Sequence, residues 1–256
     1  MTINFSGKTC LITGATSGLG RSFALQLAGV GASLILIGRN EEPLQQFSTE
    51  CRNMGAISVN PITCDLGRID EIEQVLTTEL SSVTNIYLIV HCAAINRYRT
   101  VATEPKENIL NAFLATSYSF TRIVQVCIQK FKTDQGGFII IPSSGNAYIG
   151  TTGQALYSAN KAYVQRMAES LSQELQPLNI QIKIVQPGPF KGKCFVSRDK
   201  SNQNTSQTLR NSDEIARLIL SKLNNESVFI NLTFKIYIIR ILALLSPRFL
   251  LKIANR

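Results

Sequence analysis

Short apolar runs at residues 9–13, 33–38, 57–62, 86–90, 138–141 and 180–185 recur along the chain, and β-branched side chains dominate most of them. Such runs, lacking polar alternation, suit strands covered on both faces, which is the situation of a parallel sheet. Between them, residues 19–31, 42–54, 69–80, 106–131 and 154–175 carry apolar side chains at helical spacing. The repeated strand-helix order therefore predicts an α/β fold, a doubly wound parallel sheet. With 256 residues the chain sits near the upper size of one hydrophobic core, so a single domain is expected.

The first strand runs into Thr13-Gly14-Ala15-Thr16-Ser17-Gly18-Leu19-Gly20 and then a helix. In that context Gly14 and Gly18 allow a tight turn against a pyrophosphate, Gly20 allows close packing, and the helix start offers free N–H groups to the anion. A dinucleotide site is the reading this supports. The second strand ends Ile37-Gly38-Arg39-Asn40, with no acid to accept hydrogen bonds from an adenosine ribose. Arg39 is instead placed to pair with a 2′-phosphate, which favours NADP(H) over NAD, and Arg21 could assist. Residues 1–226 are expected to form the dinucleotide-binding and catalytic domain, with 227–256 a C-terminal extension of it.

Tyr157 and Lys161 lie four apart in a helical stretch and so share one face. A phenol exchanges protons poorly near neutral pH unless nearby positive charge stabilises the phenolate, and an ammonium one turn away supplies that charge. The spacing alone is common on solvated helices; its neighbours give it weight. The strand at 138–141 ends in Pro142-Ser143-Ser144-Gly145, at the carboxyl edge where such sheets place ligands. There Ser144 can hydrogen-bond a substrate oxygen, while Ser143 caps the turn.

Over nearly its whole length the sequence resembles the short-chain dehydrogenases/reductases, a family with a Rossmann fold. The matching pieces are 13–20, Cys64-Asp65-Leu66, Ser144, the pentapeptide 157–161 and Pro187-Gly188-Pro189. The resemblance implies hydride transfer between NADP(H) and a carbonyl or alcohol substrate, with Ser144, Tyr157 and Lys161 catalytic. It also implies Asp65 at the adenine, with Leu66, Ala93, Pro187 and Gly188 around the cofactor and Lys161 on the nicotinamide ribose. The family's fourth catalytic residue, an Asn, could match Asn111 or Asn108, with Asn111 favoured. A hydrophobic ketone or alcohol is the expected substrate, a 3-oxoacyl thioester the alternative, with Lys191, Lys193, Arg198 and Lys200 then meeting an anionic carrier. Related proteins are commonly dimers or tetramers through the helices at 106–131 and 154–175, so a homodimer or homotetramer is expected.

The chain departs from the family pattern in two places. His91-Cys92-Ala93-Ala94 stands where Asn-Asn-Ala-Gly is usual, and the Thr normally found just beyond Pro-Gly is replaced within 190–193. These changes keep open a second reading, a non-catalytic nucleotide-sensing or partner-binding protein on the same fold. His91, the single histidine, closes an apolar strand and is expected to be a hydrogen-bonded structural imidazole.

The six cysteines are scattered without pairing motifs, which reads as a reducing compartment and no zinc site. The first eight residues carry no export signal, so a cytoplasmic location is expected. The net charge of +9 gathers late: residues 227–256 contain Lys235, Arg240, Arg248, Lys252 and Arg256 and no acid. No apolar stretch there approaches the roughly 20 residues needed to span a bilayer. The tail fits a helix in an anionic membrane surface, a cover over an apolar substrate entrance, or a docking or subunit contact equally well. Nucleic acid is disfavoured, because no stacking aromatics are interleaved with the basic residues. The polar segment 197–212 is expected to be a mobile loop beside the ligand site, followed by a helix to residue 223.

Overall fold

The computed structural model of the chain describes residues 3–188, 190 and 210–245. Seven strands, β1 (Thr9–Thr13), β2 (Ser33–Gly38), β3 (Ser58–Thr63), β4 (Leu88–His91), β5 (Gly137–Pro142), β6 (Ile180–Gln186) and β7 (Phe229–Asn231), form one sheet in the order β3-β2-β1-β4-β5-β6-β7. All of its pairings are parallel. The expected doubly wound sheet is the observed one, and its strand order reverses between β1 and β4, where such sheets open a ligand crevice.

Side chains alternate across a strand, and that alternation divides the core in two. Leu11, Ile35, Ile37, Ile89, Ile139 and Ile184 face one side and pack with Ile72 of α3 (Ile69–Thr77), Phe120 of α5 (Ser119–Cys127) and Val164 of α6 (Ala155–Glu174). Cys10, Ile12, Leu34, Leu36, Val90 and Ile140 face the other side. They meet Phe23 of α1 (Gly18–Ala28), Leu44 of α2 (Glu41–Asn53) and Ile219 of α7 (Ser212–Ser221). Purely apolar strands are thus the sequence signature of two covered faces.

The stretch expected as one helix over 106–131 is interrupted. α4 (Lys106–Phe113) passes into a π-helical turn at Leu114–Tyr118 before α5 begins. Within that turn the carbonyl of Thr116 lies 3.2 Å from His91 Nε2, and the hydroxyl of Thr116 accepts from the Ile95 amide at 3.3 Å. Bonds leaving the helix for β4 and its following loop accompany a wider local helix, as is common where helices meet functional sites.

The C-terminal segment also enters the sheet. β7 pairs with β6, and buried Lys183 of β6 donates from Nζ to the Asn225 and Ser227 carbonyls in the connection ahead of β7. α8 (Phe234–Leu245) follows, with the Arg240 guanidinium stacked 4.2 Å from the Phe229 ring centroid. No helix among the described residues is long and apolar enough to cross a membrane. The expected loop at 197–212 lies almost wholly outside the described residues, as do Lys191, Lys193, Arg198, Lys200, Arg248, Lys252 and Arg256.

Candidate active site

The glycine turn after β1 has the geometry a pyrophosphate requires. Gly14 and Gly18 have φ of +63° and +50°, a region that glycine enters without penalty. A methyl group on Gly20 would stand 2.3 Å from the Gly14 carbonyl oxygen, so only glycine lets α1 begin this close to the turn. Ser17 caps α1 in an extended conformation with its hydroxyl making no capping bond, leaving the helix start open to an anion. This turn, with its open helix start, fits a dinucleotide phosphate. Thr16 borders it, with Cγ2 3.2 Å from where a Gly38 side chain would begin, and Leu19 is buried beneath.

At the end of β2, Arg39 is exposed and makes no hydrogen bond or ion pair to a described residue. Arg21 differs: its guanidinium grips both oxygens of Glu50 at 2.5 and 2.6 Å and lies over the Phe47 ring. The assisting role expected of Arg21 therefore gives way to a bond between α1 and α2. Asp65 turns the chain after β3 by accepting from the Gly67 amide at 2.9 Å, and Leu66 beside it is buried.

His91 closes β4 beside the reversal of strand order. It is 3% exposed, its Nδ1 lies 3.1 Å from the Thr13 hydroxyl and its Nε2 faces the Thr116 carbonyl. Thr13 in turn accepts from the Ala93 amide at 3.1 Å. One proton arrangement satisfies every group: Nε2–H donates to Thr116, Thr13 donates to Nδ1, and Ala93 N–H donates to Thr13. Burial, reinforced by the nearby Lys161 charge, holds the imidazole pKa down to about 3, so the ring is neutral. The imidazole thus ties the glycine turn to the β4 loop at Ala93, the expected structural role.

Ser144 follows the carboxyl end of β5, and the Tyr157–Lys161 pair lies on α6, to which the turn capped by Ser144 is fastened. The ammonium of Lys161, on α6, is buried and donates to the carbonyl of Pro142, the last residue of β5, at 2.8 Å. It also lies 5.8 Å from the Tyr157 ring centroid. Ser144 caps a short helical turn, Gly145–Ala147, and accepts from the Asn146 amide at 3.2 Å, which leaves its O–H proton for a substrate oxygen. The Asn146 side chain reaches Gln154 and Ser158 at 3.2 and 3.3 Å, fastening this turn to the start of α6. Ser143 is buried against Gln165 rather than capping the turn.

The structure separates the two Asn candidates. In the orientation that satisfies its partners, the Asn111 amide donates to the Gly67 and Glu107 carbonyls at 3.0 and 3.2 Å, beside the Asp65 turn. The Asn111 side chain is thereby engaged with the Asp65 turn and with its own helix. Asn108, one helical turn earlier, lines a cleft together with Tyr157. Sequence reasoning missed Glu104 and Arg97, which line the same cleft, because isolated charges in a connecting loop read as solvated surface. It also missed Thr233, whose methyl stands 2.9 Å from where a Gly188 side chain would begin. Gly188 follows Pro187 and has φ of +71°. The motif Pro-Gly is thus packed by the turn ahead of α8, a contact with no local sequence signal.

The parallel sheet, its reversal of strand order and the glycine turn ahead of α1 are the architecture of a dinucleotide-binding protein. The family model for short chain dehydrogenase matches residues 8–203. The chain is 30% identical over 208 residues to the 3-oxoacyl-acyl-carrier-protein reductase of Rickettsia prowazekii, an alignment covering 81% of each chain. Among solved structures, a short-chain dehydrogenase from Sphingobium yanoikuyae in complex with NADPH superposes with a TM-score of 0.81 at 23% identity, covering 97% of this chain and 96% of that one. A Burkholderia phymatum short-chain dehydrogenase/reductase in complex with NAD gives 0.80 at 18% identity, covering 94% of both chains. The chain belongs to the short-chain dehydrogenase family and is an oxidoreductase of carbonyl and alcohol groups that uses a nicotinamide dinucleotide.

Proposed function

We propose that the protein is an NADP(H)-dependent reductase of a ketone, working reversibly through Tyr157, Lys161 and Ser144. The observation that carries this reading is the buried Lys161 ammonium, held between the Pro142 carbonyl and the Tyr157 ring. Burying an ammonium is costly, a cost the Pro142 carbonyl offsets only in part, and beside a phenol the charge favours the phenolate that remains after a proton is given up. Tyr157 then acts as general acid toward the carbonyl oxygen and as base in the reverse direction, while Ser144 donates to the same oxygen. The dinucleotide, when bound, supplies or accepts the hydride. Gly14, Thr16, Ser17, Gly18, Leu19 and Gly20 would hold its pyrophosphate, Asp65 and Leu66 its adenine, and Ala93, Pro187, Gly188, Tyr157 and Lys161 its nicotinamide end.

NADP(H) is favoured because Arg39 is exposed and unengaged by described residues at the place a 2′-phosphate would occupy, while Arg21 is committed to Glu50. Fluorescence titration of the purified protein with NADPH and NADH tests this. Tight NADPH binding that weakens at least tenfold in Arg39→Ala, with NADH unaffected, supports the assignment; equal affinity for both nucleotides overturns it. Failure to bind either one would support the nucleotide-independent, partner-binding alternative.

A 3-oxoacyl thioester remains the second substrate reading, favoured by the name of the Rickettsia relative and by exposed Arg97 and Arg99 along the cleft beside Tyr157. A cytoplasmic enzyme is the reading for location. On α8, Ile238, Ile241 and Leu245 form an exposed stripe, which with the basic tail supports peripheral contact with an anionic membrane surface.

A further inference from the structure

Ahead of α4, the side chain of Glu104 is 3% exposed, and its Oε1 has no hydrogen-bond partner among the described residues. The nearest cation, Arg97 Nη1, is 3.6 Å away on a side chain that is itself half exposed, beyond hydrogen-bond reach. Buried acceptors are almost always paired, and one left open calls for a partner that arrives from elsewhere. The cleft that Glu104 lines also contains Tyr157, with Asn108 and Gln154 between polar and apolar walls. Its enclosed volume is about 10 Å³, room for roughly one water-sized group.

The position of Glu104 relative to Tyr157 is fixed by packing. The Arg99 amide donates to the Gly153 carbonyl at 2.7 Å, and the Tyr98 ring lies against Gly153, 2.9 Å from where a side chain would start. The loop bearing Glu104 is thereby held to the loop that leads into α6 and Tyr157. We infer that Glu104 is a specificity-determining residue that accepts a hydrogen bond from a substrate hydroxyl, so that the ketones reduced at Tyr157 are hydroxyketones. The inference rests on the reductase reading above and names its substrate class. The open Oε1 is an acceptor, so its complement is a donor. A substrate ammonium would be a donor too, but Arg97 and Arg99 line the same cleft and repel a further cation. A substrate carboxylate would meet Glu104 itself. A neutral hydroxyl satisfies the open oxygen and fits the space of one water.

The test uses the full chain with NADPH and two pairs of ketones matched in shape, 1-hydroxypropan-2-one against butan-2-one and 1-hydroxyoctan-2-one against nonan-2-one. The expected result is that kcat/KM favours the hydroxylated member of a pair by about tenfold, chiefly through KM, the worth of one good buried hydrogen bond. In Glu104→Leu the preference should collapse while activity on the plain ketone persists, and Glu104→Gln, which keeps an acceptor oxygen, should retain part of it. Thermal melting and NADPH affinity of each variant report whether the fold is intact; should a variant not fold, the wild-type preference alone decides. Equal turnover of both members by the wild type, with Glu104 then held by a resident water, overturns this inference and leaves the reductase reading standing. No turnover of any ketone by protein that binds NADPH overturns the reductase reading, and this inference with it.

Discussion

In the proposed mechanism Tyr157 passes a proton to the substrate only while a positive charge stays beside it, and Lys161 is held there by the Pro142 carbonyl. Removing the phenol oxygen should therefore cost chemistry and little else: Tyr157→Phe is expected to lower kcat about 10²–10⁴-fold with NADPH affinity unchanged, measured by steady-state kinetics beside nucleotide titration. His91 makes a second prediction, about stability. Its pKa falls to about 3 in the folded protein through burial and the Lys161 charge, against an ordinary value near 6.5 once unfolded. Between those values the unfolded chain takes up a proton that the folded chain refuses. Stability is therefore fully present above about pH 6.5 and declines as the pH falls, by up to ~1.4 kcal/mol per unit. Urea unfolding between pH 7 and pH 5, above the main carboxylate titrations, should give falling midpoints in the wild type and a flatter line in His91→Asn. Parallel lines for the two proteins would count against the buried neutral imidazole.

At the scale of elements, the turn from β1 into α1 is the most constrained piece of backbone. A methyl group at Gly20 would press on the Gly14 carbonyl at 2.3 Å, so Gly20→Ala must push the helix start away from the turn. The expected outcome is a loss of about 1–3 kcal/mol in denaturant unfolding, with NADPH affinity reduced at least tenfold. Gly150, whose added methyl group would meet nothing within 4 Å, provides the control substitution. This turn was legible in the sequence because its constraint is local: a strand, three glycines and a helix are consecutive. The strands β1 to β6 were legible for a similar reason, since apolar runs mark burial on both faces. What escaped depends on contacts between distant segments. β7 is three residues long and exists through its pairing with β6 and the Lys183 bonds to Asn225 and Ser227. The π-helical turn follows a bond from Thr116 to His91, 25 residues away. Asn111 and Asn108 share a helix, and periodicity could not say which faces the Asp65 turn and which the cleft. Glu104 was invisible because burial of a lone loop carboxylate leaves no mark on its neighbours.

At the scale of the whole molecule, α4 and α6 together expose Leu110, Phe113 and Tyr163 at 57%, 42% and 41%, with Phe113 and Tyr163 in an edge contact at 6.0 Å. Large apolar side chains clustered on neighbouring helices mark a surface that another protein covers, and a second copy of the chain is the partner proposed here. Because a two-fold contact sets the same patch against itself, one substitution alters both halves of the interface. Leu110→Glu would place two carboxylates in an apolar seam, a cost of several kcal/mol that few dimers survive. Sedimentation at micromolar concentration should therefore give a dimer or tetramer for the wild type and a monomer for Leu110→Glu. Asn111 adjoins Leu110 and holds the Gly67 carbonyl beside the Asp65 turn, so a loosened α4 should be felt at the adenine end of the crevice. The monomeric variant is expected to bind NADPH more weakly while keeping its far-UV circular dichroism. A wild type that sediments as a monomer would assign this apolar face to a different partner and uncouple it from the cofactor.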